Sequence, residues 1–407
     1  MTRGDLRAHA SFAGVLGAAG LPIYIHAPKF YADTHAIGLA TLGAILFGLR
    51  CLDLAQDPAL GWLSARLRHW RGVAAMAAGL IMALAMLGLF MPDPLLSPPL
   101  WFALMLAALF SAFSFLTISF YAQGVSLAAR EAGGHLRLAA WRESGALGGI
   151  ALAAALPSAL TFATGQSFFA FALAFAAATL GALLLMAGRW RAEAAALRAP
   201  GLTEVLADPR ARRLLLIALI NAAPVAVSST LFLFFIDSRI AAPGWEGPLL
   251  LAFFVAAAAA APGWGALAVR IGARPTLLAG MILATASFAT AGLLGPGDIL
   301  PFAAICILSG AAMGADLTLL PALFAARMTQ ITPEAAAGFG LWSFASKASL
   351  ALAAVVVLPL LDRAGFSAGG PNSPESLAVL GALYALLPCA LKCLAIGLLL
   401  ATDLKEN

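Results

Sequence analysis

Charged side chains are scarce in this chain. Asp, Glu, Lys and Arg make up 11% of its 407 residues, where a water-soluble domain carries roughly 25%. Too few ionised groups remain to cover a soluble surface, which excludes an ordinary soluble globule. Cysteine is sparse as well. The four thiols, Cys51, Cys306, Cys389 and Cys393, fall in apolar stretches without metal-type spacing. They are predicted to be buried and free, with no disulfide framework. The five histidines, at 9, 26, 35, 69 and 135, are too scattered to form a ligand set. No glycine-rich phosphate loop occurs, so neither an enzyme nor an ATP-driven pump is expected, and no cofactor. The excess of 24 basic over 19 acidic residues is spread over short loops. It is not gathered on one face, so nucleic acid is not an expected partner.

Apolar surface is what the chain has in abundance. Hydrophobic residues make up 62% of it, and the mean hydropathy is +0.95. At about 20 residues per membrane-spanning helix, twelve apolar segments can be drawn, near 11–32, 37–63, 73–92, 98–124, 139–161, 167–188, 213–236, 247–269, 275–295, 300–325, 338–361 and 376–402. The expected fold class is all-α integral membrane, with twelve transmembrane helices in two six-helix bundles. Arg3 and Arg7 before an apolar run mimic a signal peptide. The run continues through Pro22 to Tyr31, so a first spanning helix is expected instead. The longest internal polar stretch separates the halves. It sets an N-terminal bundle at 1–188, a cytoplasmic central loop at 189–212 and a C-terminal bundle at 213–407. Trp62, Trp70, Trp101 and Trp190 stand near segment ends, where interface anchors are expected.

Orientation follows from the basic residues. With both termini inside, eighteen of the 24 Lys and Arg residues fall on inside loops or termini. Only Lys29, Arg239 and Arg363 fall near outside loops. This asymmetry predicts cytoplasmic termini and a plasma (inner) membrane location. The halves also echo each other. Pro58-Ala59-Leu60-Gly61 followed by Arg66 recurs as Pro262-Gly263-Trp264-Gly265 followed by Arg270, after the second span of each half. Paired bundles are the architecture that alternating access uses.

The second segment carries the most informative stretch. Arg50, Asp53 and Asp57 are spaced i, i+3, i+7, which puts them on one helical stripe. Each such charge near a bilayer centre costs at least ~2.5–3.5 kcal/mol, so the stripe should face protein or a watery cavity. Two carboxylates with neutral oxygens make a hard site suited to Na⁺ or H⁺. The competing reading is an ion-pair lattice that only ties helices together.

These residues carry a resemblance. The stretch Arg50-x-x-Asp53-x-x-Gln56-Asp57-Pro58-x-x-Gly61-Trp62 resembles the major facilitator superfamily, and within it the melibiose-permease group of glycoside–pentoside–hexuronide:cation symporters. Tyr31-Ala32-Asp33 with Gly38-Leu39 is similar to that group's end of helix one. The resemblance implies a major facilitator fold and a cation site of Asp53, Asp57, Gln56 and Ser114. Asp53 and Asp57 would be the metal ligands if the coupling ion is Na⁺. It places Lys347 in helix eleven, facing that site. Arg50, Thr117, Tyr121, Arg142 and Lys347 are the candidate substrate or coupling residues. Arg142-Glu143 also reads as a cytoplasmic gate or a local ion pair. Sugar-recognising members carry aspartates where Gly17 and Thr117 stand here, and Ala65 replaces the acid before Arg66. The cation half of the mechanism is therefore better matched than the sugar half.

Further polar residues are left open. Asp316 and Asn221 either line a pocket or make an interhelical hydrogen bond, and Lys392 has no assigned role. The expected function is secondary transport: Na⁺- or H⁺-coupled symport of a small organic solute, sugar-like by the resemblance. The expected partners are that solute, the coupling cation and the lipid bilayer, with the chain acting as a monomer. The alternatives are a lipid or hydrophobic-solute transporter of the same fold, and a non-transporting membrane receptor or assembly factor.

Overall fold

The computed structural model describes residues 2–21, 27–35, 37, 39–129, 134–164, 167–190, 202–331, 335–366 and 371–402. Among them helices carry almost all the regular structure and no strand occurs. A chain this apolar has no water for its backbone groups inside a bilayer, and helices satisfy those groups within one segment. The helices are α1 (Arg3–Leu21), α2 (Ala27–His35), α3 (Leu39–Arg66), α4 (Arg71–Leu89), α5 (Pro98–Ala128), α6 (Gly134–Thr164), α7 (Ser167–Met186) and α8 (Leu202–Ala207). They continue as α9 (Pro209–Phe234), α10 (Glu246–Ile271), α11 (Ala273–Ala289), α12 (Ile299–Ile331), α13 (Ala336–Arg363), α14 (Pro374–Gly381) and α15 (Leu387–Leu400).

Among the described residues, most of each of the twelve apolar segments lies on helix. The first is shared by α1 and α2, and the last by α14 and α15, which are joined by a π-helical turn, Ala382–Leu386. A second π turn, Phe235–Ile240, extends α9. Nine helical spans among the described residues are long and apolar enough to cross a membrane. Helix starts follow local chemistry. Asp208 accepts a hydrogen bond from the Ala211 N–H at 2.7 Å, and Pro209 opens α9. Ser373 caps α14 in the same way, ahead of Pro374. In each case a side-chain acceptor takes an orphan N–H, and the proline has no N–H to satisfy. Pro58 and Pro262 lie inside α3 and α10 and do not end them.

The chain divides into two compact units. The first is Met1–Ala207 with Ala325–Phe344; the second is Asp208–Phe324 with Ala345–Asn407. In the first unit, α1 lies directly against α6 through glycines. A Cβ at Gly17 would collide with the Ala146 carbonyl, and one at Gly149 with the Gly14 carbonyl. Small residues allow backbones this close, and in a membrane close packing replaces the hydrophobic driving force. Gly61 of α3 meets α13 similarly. A Cβ there would stand 2.9 Å from the Ala336 carbonyl oxygen and 3.1 Å from the Gly340 Cα. Phe12, Phe90, Phe102, Phe110 and Phe120 fill the core of this unit.

In the second unit, Gly310 and Gly314 of α12 press against the Phe253 and Ala257 carbonyls of α10. Trp264 donates to the Ala311 carbonyl at 2.7 Å across the same helix pair. Phe235 stacks on Tyr384 with ring centroids 4.0 Å apart, joining the two π turns.

Some expectations need correction. All four cysteines are free, but Cys51 and Cys393 are exposed on the protein surface, not buried. Trp62 and Trp70 are exposed as anchors should be. Trp101 instead donates to the Gly88 carbonyl at 2.7 Å, and Trp190 packs edge-on against Phe12. Both rings thus also have internal partners.

Candidate functional site

The first site forms where α3 packs against α5. Asp53 and Asp57 are one turn apart on α3, with exposures of only 2% and 0%. The buried Ser114 hydroxyl of α5 donates to Asp53 Oδ1 at 3.2 Å. The Gln56 amide donates to the same oxygen at 3.4 Å. Ser111 then donates to Gln56 Oε1 at 2.8 Å and holds that amide in its orientation. Three of the four expected cation residues, Asp53, Gln56 and Ser114, are therefore joined in one network. Asp57 lies on α3 beside it.

Sequence reasoning did not include Ser111. The signal was present, because Ser111, Ser114 and Thr117 recur every three residues on one stripe of α5. Thr117 continues that stripe, and its Oγ1 is buried with no hydrogen-bond partner among the described residues. Another pair, Ser64 and Ser119, shares a 2.7 Å hydrogen bond nearer the C-terminal end of α3.

Tyr121 and Arg142 form a second group with Glu143. Arg142 Nε and the Tyr121 hydroxyl both donate to Glu143 Oε1, at 2.8 and 2.9 Å. The Arg142 guanidinium carbon sits 3.7 Å from the Tyr121 ring centroid, a cation–π contact. Arg142 Nη2 is buried and has no partner among the described residues. Phe339 packs on the other side of Tyr121, 5.2 Å away. The arrangement is a local ion pair clamped by an aromatic ring.

The Arg50 side chain lies outside the described residues. Lys347 stands on α13, in the part that belongs to the second unit. Gly17 has no space for any side chain against α6. A sugar-clamping carboxylate at that position would need the helix pair to separate.

The second unit holds a polar centre of its own. Lys392 of α15 donates to Asn221 Oδ1 of α9 at 2.7 Å and pairs with Asp316 Oδ2 of α12. Asn221 and Asp316 thus take the role of interhelical partners, and Lys392 acquires the role that the sequence did not assign. The centre adjoins a cavity of about 60 Å³.

Among the described residues no three His, Cys, Asp or Glu side chains gather as a metal cluster. The oxygens that could hold a cation are the carboxylates of Asp53 and Asp57, Ser114 Oγ and Gln56 Oε1.

The sequence model of the family described as MFS/sugar transport protein matches residues 8–406. No curated protein sequence matches the chain. Solved structures share its fold. A bacterial homologue of the iron transporter ferroportin, in an outward-facing state, aligns with a TM-score of 0.74 and 14% identity, over 98% of this chain and 99% of that one. The fucose:proton symporter of Escherichia coli aligns with a TM-score of 0.70 and 14% identity, over 96% and 98%. The ferroportin homologue with soaked iron aligns with a TM-score of 0.70 and 14% identity, over 98% and 99%. At this identity the likeness shows the fold alone. The family match goes further: the chain is an integral membrane transporter, not an enzyme, and belongs to the MFS/sugar transport protein family of the major facilitator superfamily.

Proposed function

We propose that this transporter is a symporter that couples Na⁺ or H⁺ to a small organic solute. Asp53, Asp57, Gln56 and Ser114 hold the cation, and Arg50 and Lys347 couple it to the solute. The observation that carries this reading is the buried Asp53 carboxylate, met by Ser114 and Gln56 within the middle of a 28-residue helix. Such a carboxylate is costly in a membrane and is functional by default. Cation binding relieves the repulsion between the two acids, and that relief is the coupling free energy passed to the solute. The bilayer, the coupling cation and the solute are the partners; no organic cofactor enters. The positive-inside pattern supports an inner-membrane orientation with both termini cytoplasmic. Monomeric operation is part of the same reading.

The fucose:proton symporter among the fold relatives supports proton-coupled sugar transport as a precedent. Gly17 and Thr117 argue that the solute is not clamped by the two sugar-type carboxylates. The experiment is thermal unfolding of the purified protein with and without Na⁺, at several pH values, in wild type and Asp57→Asn. A ligand at 100 times its Kd stabilises by about 2.7 kcal/mol. A Na⁺-dependent shift lost in the variant supports sodium coupling. A pH-dependent shift alone, lost in the variant, supports proton coupling. No shift of either kind overturns the proposal and leaves the ion-pair lattice.

A further inference from the structure

The second unit buries an ionic centre that the cation reading does not use. Asn221, Asp316 and Lys392 are each more than nine-tenths buried. Lys392 engages Asp316 Oδ2 and Asn221 Oδ1. Asp316 Oδ1 is buried and has no hydrogen-bond partner among the described residues. Asp316 and Lys392 line the cavity of about 60 Å³, whose other walls include Phe253, Phe288, Met313 and Pro388. A buried ion pair often fails to repay its desolvation, and an apolar pair of similar volume frequently serves the fold as well or better. A pair with one oxygen lacking a hydrogen bond, set in the wall of a cavity, has the form of a ligand site.

We propose that this centre binds a small carboxylate together with one proton. Charge selects the ligand. A bare cation entering the cavity meets the Lys392 ammonium, and a bare anion meets the Asp316 carboxylate. Like charges held this close repel strongly away from bulk water. A carboxylate accompanied by a proton avoids both penalties. The proton comes from the bathing solution and forms an O–H bond on Asp316, which becomes a neutral carboxylic acid. The ligand carboxylate replaces Asp316 as the counter-ion of Lys392. No other bond forms or breaks, and the net charge of the centre is zero before and after. Neutral Asp316 then supplies an O–H donor to the ligand.

The surroundings leave Asp316 few other partners. Ser228 of α9, Thr285 of α11 and Ser309 of α12 line the cavity, and each donates to a carbonyl of its own helix. On α15 the titratable and charged lining groups are Lys392 and Cys389, and the Cys389 thiol is directed to the Thr285 carbonyl. The wall contributed by α10 is Phe253. A cavity of about 60 Å³ is well below the ~150 Å³ that accepts benzene. The ligand is therefore a carboxylate on a short apolar chain, and acetate or propionate is the right size.

The test is calorimetric titration of the full-length protein in detergent with potassium propionate. It is run at pH 5.5 and 7.5, in two buffers of different ionisation heat. The double variant below, which leaves α3 untouched, keeps this outcome separate from the α3 reading, so either proposal can fail alone. Binding at pH 5.5 with uptake of about one proton, weakening about a hundredfold at pH 7.5, is the expected result. Asp316→Asn is permanently neutral and should bind propionate equally at both pH values without proton uptake. The double variant Asp316→Asn, Lys392→Gln keeps a neutral hydrogen-bonding pair, so it should unfold as the wild type does and bind no propionate. No binding by wild type at pH 5.5, binding without proton uptake, or binding retained in the double variant would each overturn the proposal.

Discussion

Two adjacent glycines on α6 should respond in opposite directions to the same substitution. Among the described residues, outside its own helix backbone, no heavy atom comes within 4 Å of the position a Gly148 Cβ would take, whereas a Cβ at Gly149 would collide with the Gly14 carbonyl of α1. Alanine relieves the conformational cost of a helical glycine by roughly 0.5–1 kcal/mol, and at Gly148 nothing opposes that gain. At Gly149 the added methyl is an overpacking change, worth about 1–3 kcal/mol. The obstacle is backbone, not a flexible side chain, so the upper part of that range applies. The net effect is a loss of about 1–2 kcal/mol for Gly149→Ala and a gain of up to about 1 for Gly148→Ala. With roughly 2.1 cal/mol/K of unfolding entropy per residue, a 407-residue chain shifts about 1 °C per kcal/mol. The two variants should therefore differ by about 2–3 °C in Tm, on either side of wild type. Thermal unfolding in one detergent, with identical lipid content, is the assay. If both variants move the same way, or Gly149→Ala matches wild type, the close approach of α1 to α6 is not what holds this helix pair.

Three further outcomes follow from single contacts. Ser114→Ala removes a donor from Asp53 and an oxygen from the proposed cation site, so Na⁺ affinity read by thermal shift should fall about tenfold or more; an unchanged affinity would take Ser114 out of the site. Trp264→Phe leaves the Ala311 carbonyl without its 2.7 Å donor, which should cost about 1 kcal/mol of stability, measured by denaturant titration. Gly340→Ala would set a Cβ 2.8 Å from the Asp57 carbonyl oxygen. Amide exchange should then rise along the second half of α3 and the start of α13, and unaltered protection would mean that the two backbones can part freely.

The spans were legible because hydropathy reports directly which side chains tolerate lipid. Their ends were not. The fourth and fifth segments were drawn to end at 124 and to begin at 139, whereas α5 runs to Ala128 and α6 starts at Gly134. Polar side chains change the solvent a helix faces without breaking its backbone hydrogen bonds, so the helix continues past the apolar stretch. The α3 network was readable in part, since Asp53 and Gln56 share one helix and helical periodicity relates them. Ser111 escaped because a serine on an apolar helix usually serves packing. The Asn221–Asp316–Lys392 centre was invisible for a different reason. Its members lie on three helices, with 171 positions between Asn221 and Lys392 and 76 between Asp316 and Lys392. No periodicity within one helix connects them. The glycine contacts escaped as well, since a helical glycine looks the same in sequence whether its Cβ position is open, as at Gly148, or filled, as at Gly149.

The π turn at Ala382–Leu386 has a consequence for how the gene can change. A π turn is one extra residue housed in a helix. It advances every later residue by one position, or about 100° of helical phase, relative to an uninterrupted α-helix. Lys392 follows this turn by less than two helical turns, while Tyr384 within it is held against Phe235. The inserted residue thus determines which side of α15 the lysine occupies. A one-residue deletion here would restore a regular helix, but it would carry Lys392 away from Asp316 and Asn221. Drift in length at this turn is therefore restrained by the ion pair beyond it as well as by the ring stack within it.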